Sequence, residues 1–174
     1  MQQMGVDSVI WGRLTDAMRI ADGGELDLGP RIHPKVEPEV AFLVRDGGIA
    51  AIAPAIEVID SRWLDFRFTL DEVIADNTSA AAFVVGAWQP VPSGVDNLGV
   101  LLSVDGRVFE IGSTAAILGD PRRAFTEAAR LAGKLEDDWV VLAGAATAAV
   151  SVAPGQAVRV EVEKLGAASL KVSS

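Results

Sequence analysis

Three carboxylates hold the chemical interest of this sequence: Glu37 and Glu39 in HPKVEPEVAFLV (33–44), and Glu57 in APAIEVIDSR (53–62). Read as a β-strand, the first stretch puts Val36, Pro38, Val40, Phe42 and Val44 on one face, with Glu37 and Glu39 side by side on the other. Two neighbouring acids on an apolar strand cost stability unless something positive neutralises them, and a bound divalent cation does so. The competing reading is a strand end whose acids point into water. In the second stretch Glu57 shares a face with Ala55 and Ile59. A glutamate in that company is paired, protonated or metal-bound, and an ion pair with Arg62 or Lys35 is the alternative to a metal. Together the three make an all-oxygen site for a hard cation, Mg²⁺ or Mn²⁺, with about three of roughly six positions left open. A 2-oxo acid fills two of these with a carboxylate oxygen and its ketone oxygen, an arrangement suited to stabilising an enolate. Periodicity alone does not place Glu57 beside the other two.

Other chemistry is weaker. His33 precedes a proline at the strand entrance and reads as a solvated loop histidine or a pocket donor. Asp60-Ser61-Arg62 reads as an internal ion pair and cap, and the DNTS run at 76–79 as a helix stop. Gly144-Ala145-Ala146-Thr147 after an apolar run offers backbone N–H groups and a hydroxyl to an anion. The four tryptophans read as packing residues. No glycine-rich phosphate loop of nucleotide-binding spacing is present, and nothing places a nucleophile near the single histidine for Ser-His-Asp chemistry.

Composition narrows the class. At 174 residues the chain, residues 1–174, reads as a single domain able to bury a sizeable core. With 15 basic against 24 acidic residues, a formal charge of -9 argues against a nucleic-acid or anionic-membrane surface and favours cations. The absence of cysteine excludes disulfides, thiolate metal sites and cysteine nucleophiles, and one histidine excludes a multi-histidine centre. No apolar run reaches membrane-spanning length and residues 1–20 lack a signal-peptide plan, so the expectation is a cytoplasmic protein.

The elements that must position these residues are mostly strands. Residues 21–30 read as turn-rich loop, Arg45-Asp46-Gly47-Gly48 as a turn, and 53–62 as a buried strand. Thr69 with Glu72 predicts a capping box opening a helix of about two turns, closed by Asp76 to Ser79. A strand over 81–88 follows, then a hairpin about Asp105-Gly106. Asp120 and Pro121 open a helix over 121–132, with Gly133 as its stop. WVVLAG reads as a strand. AVRVEVEKL alternates with its valines inward, and a turn at Gly166 leads to a last strand. The fold class is mostly β with a few helices (α+β), a rolled sheet or barrel.

Taken together, PKVEPEVAFLV, PAIEVIDSRWLDF, VIADNTSAAAFVVGAW and LAGAAT resemble the fumarylacetoacetate hydrolase superfamily. They are closest to its hydratase/decarboxylase branch, the enzymes of meta-cleavage aromatic catabolism. Within that branch, MGVDSVIWGRLTDAM and IHPKVEPEVAFL look like the decarboxylases, the hydratases usually carrying a PDFG-like segment in place of VIWGRL. The resemblance covers essentially the whole chain. It implies a mixed β-roll, with Glu37, Glu39 and Glu57 as the catalytic metal ligands for Mg²⁺ or Mn²⁺. It puts Lys35, Asp76, Ser79 and Thr147 on the substrate side, beside Asn77 and Gly144 of the same two motifs. The implied reaction is metal-dependent decarboxylation of 2-oxo-3-hexenedioate to 2-hydroxypenta-2,4-dienoate. Hydration of 2-hydroxypenta-2,4-dienoate, or a catalytically silent truncated or partner subunit, are the alternatives. The implied partners are a small 2-oxo dicarboxylic acid, further copies of the chain and the sister hydratase, with no nucleic acid and no membrane. Three departures stand out. Family members carry a catalytic lysine in a Gly-x-Lys-x-Gly-like motif upstream of the region matching Met1, and Lys35, inside the metal-strand motif, is no substitute for it. The connection from Glu39 to Glu57 is shorter than the family's, lacking a helix around 45–53. A milder shortening falls around 134–138.

Overall fold

The computed structural model describes residues 9–174, so the start of the MGVDSVIWGRL stretch lies outside the described residues. In chain order the strands are β1 (Arg19–Ile20), β2 (Gly24–Asp27), β3 (Lys35–Arg45), β4 (Gly48–Ile59), β5 (Ala80–Val85), β6 (Gly99–Val104), β7 (Arg107–Ser113), β8 (Val140–Leu142), β9 (Val150–Ser151), β10 (Ala157–Val162) and β11 (Gly166–Ser173). The α-helices are α1 (Leu70–Ala75) and α2 (Pro121–Ala132).

The longest pair, β3 and β4, forms one antiparallel hairpin closed by Asp46 and Gly47. Both turn residues have positive φ, 50° and 72°. This is the twist-matched turn that an Asp-Gly pair favours. The connection over 45–53, read from sequence as a turn and lead-in, is therefore a two-residue turn within continuous strand. Local signals elsewhere act as expected. Thr69 and Glu72 complete both halves of the capping box on α1, and the Asp120 side chain accepts from the Arg122 N–H at the start of α2.

Two mixed sheets result. One is ordered β1-β5-β4-β3-β8, with β9 also on the free edge of β3; the other is ordered β2-β11-β10-β6-β7. The first contains the parallel pair β1 and β5, the second the parallel pair β2 and β11. Their inner faces pack together, Val36, Phe42 and Ile56 meeting Leu102, Val160 and Leu170 in one buried cluster. The 21–30 segment, expected as loop, supplies β2. Its Gly and Asp turn signals are overridden by pairing with β11 and by burial of Leu26. The expected turn at Gly166 lies just before it, over 163–165, and Gly166 already pairs with Val162.

Pro38 lies within β3, a place normally closed to proline. Its side of the strand falls between β8, which pairs at 41–43, and β9, which pairs at 35–36. There its carbonyl accepts from the Ala146 N–H. A strand residue's N–H and C=O point the same way, so the missing donor faces this loop and the β4 ladder stays intact. The outer face of the first sheet is built from small residues, Ala41, Ala53 and Ala55, beside Phe83 and Val85. Small side chains leave room above the sheet, and the site occupies it.

Candidate metal centre

Glu37 stands directly opposite Glu57 in the β3–β4 hairpin, and Glu39 follows two residues along on the same face, opposite Ala55. One oxygen from each of the three lies within 4.8 Å of the others. A β-bulge brings this about. Val44 pairs with Ile49 but Leu43 pairs with Ala51, leaving Ala50 unpaired. Were Ala50 paired with Leu43 instead of bulged, Glu57 would fall opposite Val36 and point into the inter-sheet core.

The carboxylates are not on a strand end in water. Glu37 is 9% exposed and Glu39 1%. Burial pushes the Glu37 carboxyl up to about 8, reinforced by the charge of Glu57. Burial likewise raises Glu39 to about 7, and raises Glu57 well above the ordinary range, with the Glu39 charge adding to it. None of the three has an ion-pair partner among the described residues. Arg62 pairs with Asp76, and the Lys35 ammonium sits 4.5 Å from the centre of the Phe66 ring. Glu39 Oε2 accepts from the Gly144 N–H at 2.7 Å, whereas its Oε1 is buried with no hydrogen-bond partner. A buried cluster of acids with an orphaned oxygen suits a hard divalent cation, which would return all three to the charged form.

The triad forms part of the wall of a cavity of about 750 Å³, alongside Trp11, Arg13, Arg19, Phe83 and Leu142, within the size range of small-molecule sites. One wall is the stretch around Gly12 and Arg13. Asn77 holds it twice, its Oδ1 accepting from the Arg13 N–H at 2.7 Å and its Nδ2 donating to the Arg13 carbonyl at 2.9 Å. Asn77, Thr78 and Ser79 all have positive φ, 52°, 59° and 62°. Such backbone persists only where its surroundings dictate it. Here the fixed point is Asp76, which is buried, bonds the Arg62 guanidinium and accepts from Ser79 Oγ at 3.0 Å. Gly12 is needed for the contact, since a Cβ there would sit 2.6 Å from the Asn77 carbonyl oxygen.

The structure thus brings Glu37, Glu39 and Glu57 together and distributes the other sequence candidates around them. Asp76 and Ser79 bond each other and do not line the cavity; their neighbours Asn77 and Thr78 reach it or its wall. The Thr147 hydroxyl donates to the Ala148 carbonyl at 3.1 Å. Lys35 lines a separate hollow with His33 and Phe66. The anion that the 144–147 loop receives is the Glu39 carboxylate. His33 is half-buried rather than solvated, its ring 4.9 Å from Phe66, because Asp60 draws in the N–H groups of Ile32 and His33. Asp60 and Arg62 therefore do not pair with each other. Trp11 and Trp139, read as packing residues, are 37% and 39% exposed and line the cavity. Sequence reading passed over Arg13, Arg19 and Phe83; the strand pairing of 19–20 with 83–84 is the signal that finds two of them, and it is tertiary.

No family model matches the chain. Among relatives, it is 49% identical over 189 aligned residues to a 4-oxalocrotonate decarboxylase of Pseudomonas sp., covering 99% of this chain and 74% of that one. That alignment is longer than the 174 residues here, so the relative carries internal residues that this chain lacks. The chain is 30% identical to a 2-keto-4-pentenoate hydratase of Paraburkholderia xenovorans, over 99% of this chain and 71% of the hydratase. Among solved structures, 4-oxalocrotonate decarboxylase from Pseudomonas putida G7, complexed with magnesium and adipate, superposes with a TM-score of 0.86 at 34% identity, over 99% of this chain and 73% of that one.

Proposed function

The chain belongs to the 4-oxalocrotonate decarboxylase family, within the fumarylacetoacetate hydrolase superfamily, and we propose that it decarboxylates 2-oxo-3-hexenedioate to 2-hydroxypenta-2,4-dienoate with a divalent metal. The observation that carries this reading is the convergence of Glu37, Glu39 and Glu57 on one wall of the cavity, with one Glu39 oxygen left without a partner.

In this reading the three glutamates hold Mg²⁺ or Mn²⁺, and the 174 residues act as one catalytic domain. A cation of that kind supplies Lewis acidity toward a 2-oxo carboxylate. Gly144 fixes the Glu39 carboxylate through its N–H, and Phe83 and Leu142 give the hydrocarbon part of the substrate an apolar wall. Asp76 and Ser79 are positioning residues, acting through Asn77 on the wall at Gly12 and Arg13. Lys35 acts on the Glu37 carboxylate through its charge from the neighbouring hollow, and Thr147 stands outside the cavity wall. In the substrate, the C5–C6 bond breaks to release CO₂. Its electron pair passes through the C3–C4 double bond to the C2 oxygen, giving a dienolate that protonates to the dienol. Lowering the energy of that charge is where stabilisation counts.

Hydration of 2-hydroxypenta-2,4-dienoate is the second reading, favoured by the similarity to a hydratase. Product analysis separates them: CO₂ with the dienol supports decarboxylation, and 4-hydroxy-2-oxopentanoate formed from the dienol supports hydration. We place the protein in the cytoplasm, where no described helix is long and apolar enough to cross a membrane. We also propose self-association and contact with a sister hydratase. Val108, Phe109 and Ile111, exposed along the edge strand β7, support an interface.

A further inference from the structure

Resting on that reading, we propose that Arg19 receives the distal carboxylate of the substrate and so selects a six-carbon diacid over a five-carbon monoacid. The basis is a row of side chains across the first sheet. Arg19 pairs with Phe83, Phe83 with Glu57, and Glu57 with Glu37. Residues directly opposite one another share a face, so the four stand in line on the outer face of β1, β5, β4 and β3. The next residue of β1, Ile20, packs into the inter-sheet core beside Val84, which fixes Arg19 on the opposite side, and all four line the cavity.

The spacing suits the substrate. Strands lie about 4.8 Å apart, so the Arg19 backbone is roughly 10 Å from that of Glu57 and about 14 Å from that of Glu37. An extended six-carbon diacid spans roughly 6 Å between its carboxyl carbons on ordinary bond lengths. A guanidinium-to-carboxylate hydrogen bond adds about 2.8 Å. A diacid with its 2-oxo end at the glutamates thus brings its other end within reach of an arginine side chain rooted at position 19. Phe83 lies between, under the carbon chain.

Charge points the same way. The cationic side chains lining the cavity, among the described residues, are Arg13 and Arg19, and neither is in an ion pair there. The Asp138 carboxylate on the same wall is taken by Arg45. Arg13 stacks over the Trp11 ring at 5.2 Å, which leaves Arg19 as the cation in line with the triad. Arg19 is solvent-exposed, so its pairing with a carboxylate is screened. That is appropriate for a group that orients a carboxylate about to leave as neutral CO₂, because a tight grip on the anion would oppose the reaction.

The test compares two ligands that cannot lose CO₂ by this route: 2-oxoadipate, a six-carbon diacid, and 2-oxohexanoate, its monoacid counterpart. Their dissociation constants are measured by calorimetry on the Mn²⁺-loaded full chain, as wild type, Arg19→Gln and Arg13→Gln. Arg19→Gln is expected to weaken 2-oxoadipate about tenfold or more while leaving 2-oxohexanoate within about twofold, and Arg13→Gln to keep the ratio of the two affinities. Equal loss of both ligands in Arg19→Gln, no loss of either, or a selective loss in Arg13→Gln instead would overturn the assignment. Failure of the loaded wild type to bind either ligand would overturn the proposed function, and the assignment with it.

Discussion

Glu57 faces Glu37 across the β3–β4 hairpin because Ala50 is bulged out of the ladder between them and the turn. The bulge takes up the one residue by which β4 exceeds β3 between the turn and this pair. Deleting Ala50 therefore restores an unbroken ladder with Glu57 still opposite Glu37. The expected outcome is Mn²⁺ affinity within about twofold of wild type. Metal titration and thermal melts check the site and the fold; a loss of affinity of more than about tenfold would mean that the bulge itself, and not only the register it sets, shapes the centre.

The cluster of raised carboxyls gives the metal-free protein a defined pH response. Glu37 is held near 8 and Glu39 near 7, against an ordinary value of 4.5. The folded state then binds protons that the unfolded chain has released, so this contribution to stability is complete below about 4.5 and is lost as pH rises towards 8. With chelator present, Tm should fall between pH 5.5 and 8. Saturating Mn²⁺ should remove that fall and release protons on binding, most of them at the acid end. A chelated Tm that climbs across this interval would contradict the assigned cause.

Asn77 reaches the cavity only through the backbone of Arg13. Asn77→Ala removes both hydrogen bonds to it and should raise KM about tenfold, with Mn²⁺ affinity within about twofold of wild type. Steady-state kinetics and a metal titration separate this from damage to the triad.

Gly12→Ala tests the same contact from the other side. Its Cβ would lie 2.6 Å from the Asn77 carbonyl and 2.7 Å from Thr78 Oγ1. The clash should cost about 1–3 kcal/mol of stability and raise KM as Asn77→Ala does. A melt and a substrate titration read the two effects separately.

Much of the site and fold is legible in the sequence. The Glu37/Glu39 spacing on an alternating strand, the Thr69–Glu72 capping box, the Asp105-Gly106 hairpin and the Asp120-Pro121 helix start are local signals, and local geometry obeys them. What was not legible depends on long-range pairing. Glu57 joins the pair only through the bulge, which no periodicity announces. β2 is a strand only because β11 lies beside it. Asp60 and Arg62, adjacent but for one residue, turn to different partners, Asp60 to the backbone of Ile32 and His33 and Arg62 to Asp76. Arg19 reads as an ordinary surface arginine until β1 is set beside β5.

The most direct test follows CO₂ release from 2-oxo-3-hexenedioate and free Mn²⁺, by its paramagnetic resonance, in the same samples of wild type and Glu39→Gln, with and without chelator. Wild type should bind Mn²⁺ and release CO₂ in a chelator-sensitive way, and Glu39→Gln should lose both. CO₂ release that survives chelation or the Glu39 substitution, or Mn²⁺ bound by wild type with no CO₂ formed, would contradict a metal-dependent decarboxylase built on Glu37, Glu39 and Glu57.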